Sequence, residues 1–236
     1  MRIENEPTFV LHRRAFGESS VTLELLTKNH GRVGALARGA RQLSPKRGKD
    51  MLGLGALYLA DLAGSGELLQ LRRFEICESA PAFVGERSLA LMYINELLIA
   101  LLPRGDAHDR LFLQYKSTVQ AIACGELSGH LRGFERMLLE ELGYGIDFAN
   151  DVTGVAIASE LWYRLDVNAG FFVSQAGAVG ALTGAAILEF DSCCFSRHHN
   201  SKTRGIMRAL ISERLGGKTL KSWDMLRELG NLRGKV

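Results

Sequence analysis

Five short apolar-rich runs, separated by glycine or polar turns, fill the first eighty residues: TFVLHRR (8–14), SVTLELLT (20–27), RVGALARG (32–39), GALYLADLA (55–63) and ELLQLRRFEI (67–76). Five strands with turns at this spacing predict a small closed or partly closed all-β barrel. The turns are signalled by Gly17, Asn29-His30-Gly31, Ser44-Pro45 through Gly48, and Gly64-Ser65-Gly66. In the third run Arg32, Gly34, Leu36 and Arg38 alternate with Val33, Ala35 and Ala37. Alternation puts the small apolar set toward a barrel core and the arginine set outward.

Near Ser79 the period changes. Leu89, Met92, Tyr93, Leu97, Ala100 and Leu101 recur at helical spacing over 86–102, and Pro103 stops that helix. A second helix is expected from Asp109 to about Ala123. A third, over 131–143, carries Leu131, Phe134, Leu138 and Leu142 on one stripe and ends at Gly143. Residues 144–176 read as irregular, with a hairpin over 161–174 turning at Asn168-Ala169-Gly170. Helices return at roughly 178–190, 201–215 and 219–229. The expected class is α+β. A barrel domain spans 1–79 and a mostly α-helical domain 80–236, without internal repeats.

Charge is unevenly placed. The chain carries 29 basic and 26 acidic residues. Lys28, Arg32, Arg38, Arg41, Lys46, Arg47 and Lys49 follow one another with no acidic residue between them. Residues 81–196 hold 7 basic against 14 acidic side chains, and residues 197–236 hold 10 against 3. A basic start and a basic end around an acidic middle suit a polyanion touched by both ends. The most apolar stretch, 88–103, is interrupted by Asn95 and Glu96 and is too short for a bilayer span. No secretory leader is visible, so the expected compartment is the cytosol. Cys77, Cys124, Cys193 and Cys194 show no metal or scaffold spacing, and a disulfide framework is not expected.

Enzymatic motifs fail on their own geometry. GGKT at Gly216–Thr219 needs an earlier glycine at 212 to wrap phosphates, and that position is Ser212. It also follows a helical pattern rather than a strand, so it reads as a helix end and turn. In CCFSRHH (193–199) adjacent side chains diverge and do not close a tetrahedral zinc site. Glu140-Glu141, Asp147 and Asp151 form no metal-assisted arrangement, and no Ser/His/Asp set sits in a nucleophile elbow. The expectation is a non-enzyme without cofactor or metal.

The basic features remain. On a small barrel, one strand face with its loops is where single-stranded nucleic acid lies, held through phosphates. Arg32 and Arg38 share such a face, and Arg41, Lys46, Arg47 and Lys49 occupy the loop that follows. Candidate stacking aromatics are Phe9, Phe16, Tyr58 and Phe74, each of which fits a core equally well.

Five segments, in order and spacing, resemble the RecO family of bacterial recombination mediators and strand-annealing proteins. They are VLHRRAFGESS (10–20), LLTKNHGRVGALARGAR (25–41), YINELLIALLP (93–103), LRGFERMLLEELGYGIDF (131–148) and LGGKTLKS (215–222). The resemblance implies an N-terminal OB-fold and a helical C-terminal domain. It also implies binding of single- and double-stranded DNA without nucleotide hydrolysis and annealing of complementary strands. The implied protein partners are RecR and the tail of the single-strand-binding protein SSB, with RecA loading as the outcome. The candidate DNA contacts are then Arg14, Lys28, Arg32, Arg38, Arg41, Lys46, Arg47, Lys49, Lys218 and Lys221, and the candidate SSB-tail contact is Arg132. Localisation would be cytoplasmic and nucleoid-associated. Where some members carry a four-cysteine zinc site, this chain has ANDVTGVAIASE (149–160), so no zinc is expected. Trp223 and Gly133 stand where arginines are frequent, and no role transfers to them. The alternative reading is an RNA-binding or regulatory OB-fold protein of similar build.

Overall fold

A computed structural model describes residues 2–40, 52–125, 127–191 and 200–225. Its compact units are Met1–Cys124 with the segment from Leu220, and Gly125–Thr219. The first unit opens with β1 (Arg2–Phe16), β2 (Ser20–Thr27), β3 (Gly31–Ala37), β4 (Leu57–Ala63) and β5 (Leu68–Glu78). They close a barrel in the order β1-β2-β3-β5-β4, and the β3–β5 seam is parallel. The chain is thus α+β, a five-stranded OB-type barrel followed by a mostly helical region.

The alternation read in β3 sorts as expected. Val33, Ala35 and Ala37 are buried in the barrel interior with Val10, Leu23, Leu25, Tyr58, Leu62 and Leu69. β1 begins earlier than the sequence suggests, because Asn5 takes a left-handed φ of 52° within an irregularity between Ile3 and Glu6. That kink lets Arg2 and Ile3 pair with Ala63 and Leu62, ahead of the first run read at 8–14.

Two helices pack on the barrel's outer wall: α1 (Glu86–Leu101) and α2 (Asp109–Cys124). Phe9, which faces away from the barrel interior, meets Phe112 at 5.3 Å and Tyr115 at 4.9 Å between ring centroids. The polar residues that interrupt the apolar run of α1 have structural partners. Buried Asn95 donates from Nδ2 to the Leu11 carbonyl at 3.1 Å and accepts from the Tyr115 hydroxyl at 2.6 Å. Burial pushes the Tyr115 phenol well above its ordinary pKa, so it stays protonated and donates. Glu96 accepts backbone N–H bonds from Lys221 and Ser222 at 2.8 and 2.9 Å and the Ser222 hydroxyl at 2.6 Å. This carboxylate fixes the LKS segment to α1.

The second unit contains α3 (Leu127–Glu141), the antiparallel sheet β7-β6-β8, α4 (Gly184–Asp191) and α5 (Asn200–Arg214). Its strands are β6 (Trp162–Asp166), β7 (Gly170–Ser174) and β8 (Leu182–Thr183). The expected hairpin is present, turned by Asp166, whose Oδ1 accepts from the Asn168 and Ala169 amides. The helix expected from 178 begins only at Gly184. Gly177 and Gly180 take left-handed φ angles of 74° and 77°, and Leu182–Thr183 pairs with β6 instead. A core of Phe148, Phe171 and Phe190 joins the sheet to the helices, with centroid separations of 5.5 and 4.5 Å from Phe148.

Two aspartates order the loop after α3. Asp147 accepts from the Ala149 and Asn150 amides and from Asn150 Nδ2, at 2.8, 3.2 and 2.9 Å. Asp151 accepts from the Thr153 amide, its hydroxyl and the Val155 amide, at 2.8, 2.6 and 3.1 Å. These are Asx-type turns, in which a carboxylate replaces backbone partners. They hold Asp147, chiefly through the Asn150 side chain, and Asp151, chiefly through the Thr153 hydroxyl, below the ordinary carboxylate pKa.

Two outcomes are expected. Tyr115→Phe leaves the buried Asn95 Oδ1 without that donor and should cost roughly 1–3 kcal/mol, seen as a lower urea midpoint at unchanged m. A carboxyl whose folded pKa is depressed stabilises above its unfolded pKa and loses that contribution as pH falls through the folded value. Amide protection at Thr153 and Val155 should therefore hold at neutral pH and fade in acid below the ordinary Asp range. Protection independent of pH would remove the role given to these carboxylates.

Candidate nucleic-acid interface

The face of the barrel with candidate cations is formed by β1, β2 and β3. Register places Arg14 opposite Thr22, and Thr22 opposite Leu36. One row toward the hairpin tip, Phe16 lies opposite Ser20, and Arg38 follows the last residue of β3. Arg14, Phe16 and Arg38 are exposed. Neither Arg14 nor Arg38 forms an ion pair with any described residue.

The other end of the same face is closed by the protein itself. Segment 102–106 crosses over β3, with the Gly105 amide donating to the Arg32 carbonyl at 3.0 Å. Gly31 is required there: its φ is 62°, and an added Cβ would sit 1.8 Å from the Asp106 carbonyl oxygen. Arg32 donates from Nε to the Leu102 carbonyl and from Nη1 to Glu24 Oε2, both at 2.8 Å. Its side chain is only 14% exposed. Glu24 also binds Arg104, whose Nη1 lies 3.7 Å from Glu67 on the β4–β5 loop. Arg32 thus departs from the expected outward cation: it lies on the outer face but is covered and neutralised.

Lys28 is half-buried, and its amide donates to the Pro7 carbonyl at 3.0 Å. The adjoining turn is held by buried Glu6, which accepts from the Asn29 amide at 2.6 Å and Asn29 Nδ2 at 3.0 Å. Arg41, Lys46, Arg47 and Lys49 lie outside the described residues. Lys218 and Lys221 are exposed. Lys218 belongs to the turn that ends α5, where Gly216 donates to the Glu213 carbonyl and Lys218 to that of Leu215. The GGKT segment is therefore a helix end, as its spacing implies.

Among the aromatics, Phe9 and Tyr58 are buried, and Phe74 stacks on Tyr58 at 4.1 Å. Phe16 alone of the four is exposed, at 56%. In the second unit Arg132 lies inside α3 with its side chain 8% exposed, paired with fully buried Glu135 through Nη2 and Oε1. Its Nε has no partner among the described residues. It is not the surface arginine that helix periodicity alone allows.

Family models for the recombination protein O N terminal and C terminal match residues 1–80 and 83–224. A DNA repair protein RecO from Xanthomonas oryzae pv. oryzae (strain PXO99A) is 38% identical over 242 residues, covering 99% of this chain and 100% of the relative. The chain belongs to the recombination protein O family. The likeness extends to a DNA repair protein RecO from Xanthomonas campestris pv. campestris (strain B100), 39% identical over 97% of this chain and 98% of that one. Another, from Coxiella burnetii (strain CbuG_Q212), is 36% identical over 95% and 98%.

In this recombination protein O chain, sequence reasoning missed Glu6, Glu24 and Arg104 as determinants of the face. Glu24 and Arg104 stand eighty positions apart, and no local pattern signals that they meet. No group of three or more potential metal ligands occurs among the described residues. No helix among them is long and apolar enough to cross a membrane.

The two ends of the face should respond differently to mutation. Arg14→Glu combined with Arg38→Glu should weaken oligonucleotide binding and flatten its salt dependence by about 0.7–0.9 in the log–log slope per lost phosphate contact. Arg32→Ala should leave that slope unchanged and lower Tm, since it strips Glu24 and the Leu102 carbonyl of a donor. A salt titration with a melting curve for each variant reads both.

Proposed function

We propose that this chain is a non-enzymatic, DNA-binding mediator of recombinational repair. It holds single strands on the barrel and anneals complementary strands. With RecR it helps load RecA onto SSB-coated DNA. The observation that carries the reading is the match to both recombination protein O models along nearly the whole chain, with relatives named DNA repair protein RecO. Arg14 and Arg38, at the open end of the barrel face and without an ion pair among the described residues, supply the chemistry. Phosphates need positive charge that no internal carboxylate already neutralises.

In this reading residues 1–79 form the nucleic-acid-binding domain. The basic loop with Arg41, Lys46, Arg47 and Lys49 extends its track, and Lys218 and Lys221 add a second basic element. Residues 80–236 form the partner-binding domain. Arg132 takes the acidic, Phe-ending tail of SSB, because a guanidinium has donors left after one bond to Glu135 and can fork onto a terminal carboxylate. Annealing then requires only that two polyanions be neutralised and held close. Nucleotide hydrolysis has no part in it, and GGKT ends a helix.

The test mixes complementary labelled oligonucleotides with the protein, with and without an SSB coat. Annealing should accelerate without ATP, and ATP and DNA should remain chemically unchanged. Arg132→Ala should weaken binding of an SSB tail peptide and annealing of coated strands, while naked-strand annealing stays within about twofold. Turnover of ATP or DNA, or no acceleration on naked strands, would overturn the reading.

A further inference from the structure

We propose that Phe16 is a base-stacking platform, and that the β1–β2 tip bearing it makes this chain favour single-stranded over duplex nucleic acid. The inference rests on the reading above that the barrel face binds nucleic acid, and it deepens that reading.

β1 outruns the barrel at its C-terminal end. Among the described residues, its pairing with β4 ends at Phe9 opposite Leu57, followed by an isolated bridge from Val10 to Leu54. Its pairing with β2 continues to Phe16 opposite Ser20. Residues 12–18 are all exposed, and here β1 is the outer strand of a β1-β2-β3 sheet whose β2–β3 pairing reaches Val21 opposite Ala37. Exposed apolar residues are common on any surface, and exposure by itself argues little. Phe16 differs in its setting. It is the only exposed aromatic of the barrel unit among the described residues.

By strand alternation Phe16 shares a face with Arg14, two residues earlier. Arg38 leaves β3 at the same end, on the far side of β2. No described residue neutralises either arginine, whereas Arg32 and Arg104 further along are held by Glu24. An open ring flanked by two unneutralised guanidinium groups is the arrangement that single strands recognise. Phosphates lie on the cations, and a base lies flat on the ring. Half-buried Leu36 lies on the same face of β3 two residues before Arg38, across Thr22 from Arg14. A duplex presents the same phosphates but keeps its base faces stacked inside, so it gains from the arginines and not from the ring.

The experiment compares the full chain with Phe16→Ala, Phe16→Trp and the Arg14→Glu, Arg38→Glu double variant. Affinities are measured for oligo(dT) and for a duplex with the same number of phosphates. Phe16→Ala should lose about tenfold in affinity for oligo(dT), the scale of one base stack, and change less than about twofold on the duplex. Phe16→Trp should retain affinity and show indole fluorescence quenched by oligo(dT) beyond the parent's Trp162 and Trp223 signal. The double variant should weaken both ligands. If it does so while Phe16→Ala changes neither, the stacking proposal falls and the barrel reading stands. An equal loss on both ligands for Phe16→Ala also overturns the proposal, because it assigns the ring a ligand-independent role. If neither Phe16→Ala nor the double variant alters binding, the barrel reading falls with it.

Discussion

Closure of the barrel depends on a short parallel seam. Only three pairs join β3 to β5: Gly34 with Leu68, Ala35 with Leu69, and Leu36 with Gln70. Parallel pairing is slightly weaker per residue than antiparallel pairing, so the seam must close without strain. Gly34 permits this. A Cβ there would lie 2.9 Å from the Glu67 carbonyl oxygen and 3.4 Å from the Arg104 guanidinium. The same missing side chain brings the β4–β5 loop and Arg104 over β3, and Arg104 then reaches Glu24. Barrel closure and neutralisation of one end of the face thus share a cause. The open end, with Arg14, Phe16 and Arg38, is what closure leaves uncovered.

The sequence count of positive charge and the charge a ligand would meet are different quantities. Lys28 through Lys49 contains no acidic residue, yet carboxylates from elsewhere enter its first half. Glu6 comes from β1 to the Asn29 turn, and Glu24 comes from β2 to Arg32. Both are strand neighbours rather than sequence neighbours, so antiparallel register decides which cations remain available. Arg38 lies past the end of β3, beyond the reach of those carboxylates. Arg14 faces Thr22, a residue with no charge to offer.

The fold was legible because its signals are local. Turn glycines and period-two alternation placed β2 and β3 closely, and period 3.6 with Pro103 placed α1. The misplacements occurred where pairing overrides propensity. β1 starts at Arg2 because Asn5 kinks within a strand. Leu182–Thr183 becomes β8 because β6 offers it an edge, although the surrounding apolar pattern also suits a helix. The site was legible only in part. Residue type marked Arg14, Arg38 and Phe16 as candidates, but also Arg32, Phe9 and Tyr58. Only burial separates them, and burial depends on contacts such as Arg32 with Leu102 and Phe9 with Tyr115, which span most of the barrel unit.

Arginine appears in three electrostatic settings, and each suits a different task. Arg14 and Arg38 are exposed and have no carboxylate partner among the described residues, so a phosphate arriving there would displace only counterions and water. Arg32 is covered and doubly held, and removing its bonds would leave Glu24 with Arg104 and the Leu102 carbonyl without this donor; it fits architecture better than recognition. Arg132 lies between these cases. It is buried like Arg32 but has a single carboxylate partner and an Nε donor without one among the described residues. Coulomb attraction to a buried guanidinium is stronger than at the surface, but an arriving carboxylate must shed its own water and meets Glu135 beside Arg132. If Arg132 takes an acidic tail, its desolvation favours a ligand that carries an apolar group to seal the site. Surface arginines impose no such demand, so the phosphate role proposed for Arg14 and Arg38 and the carboxylate role proposed for Arg132 call for ligands of different solvation.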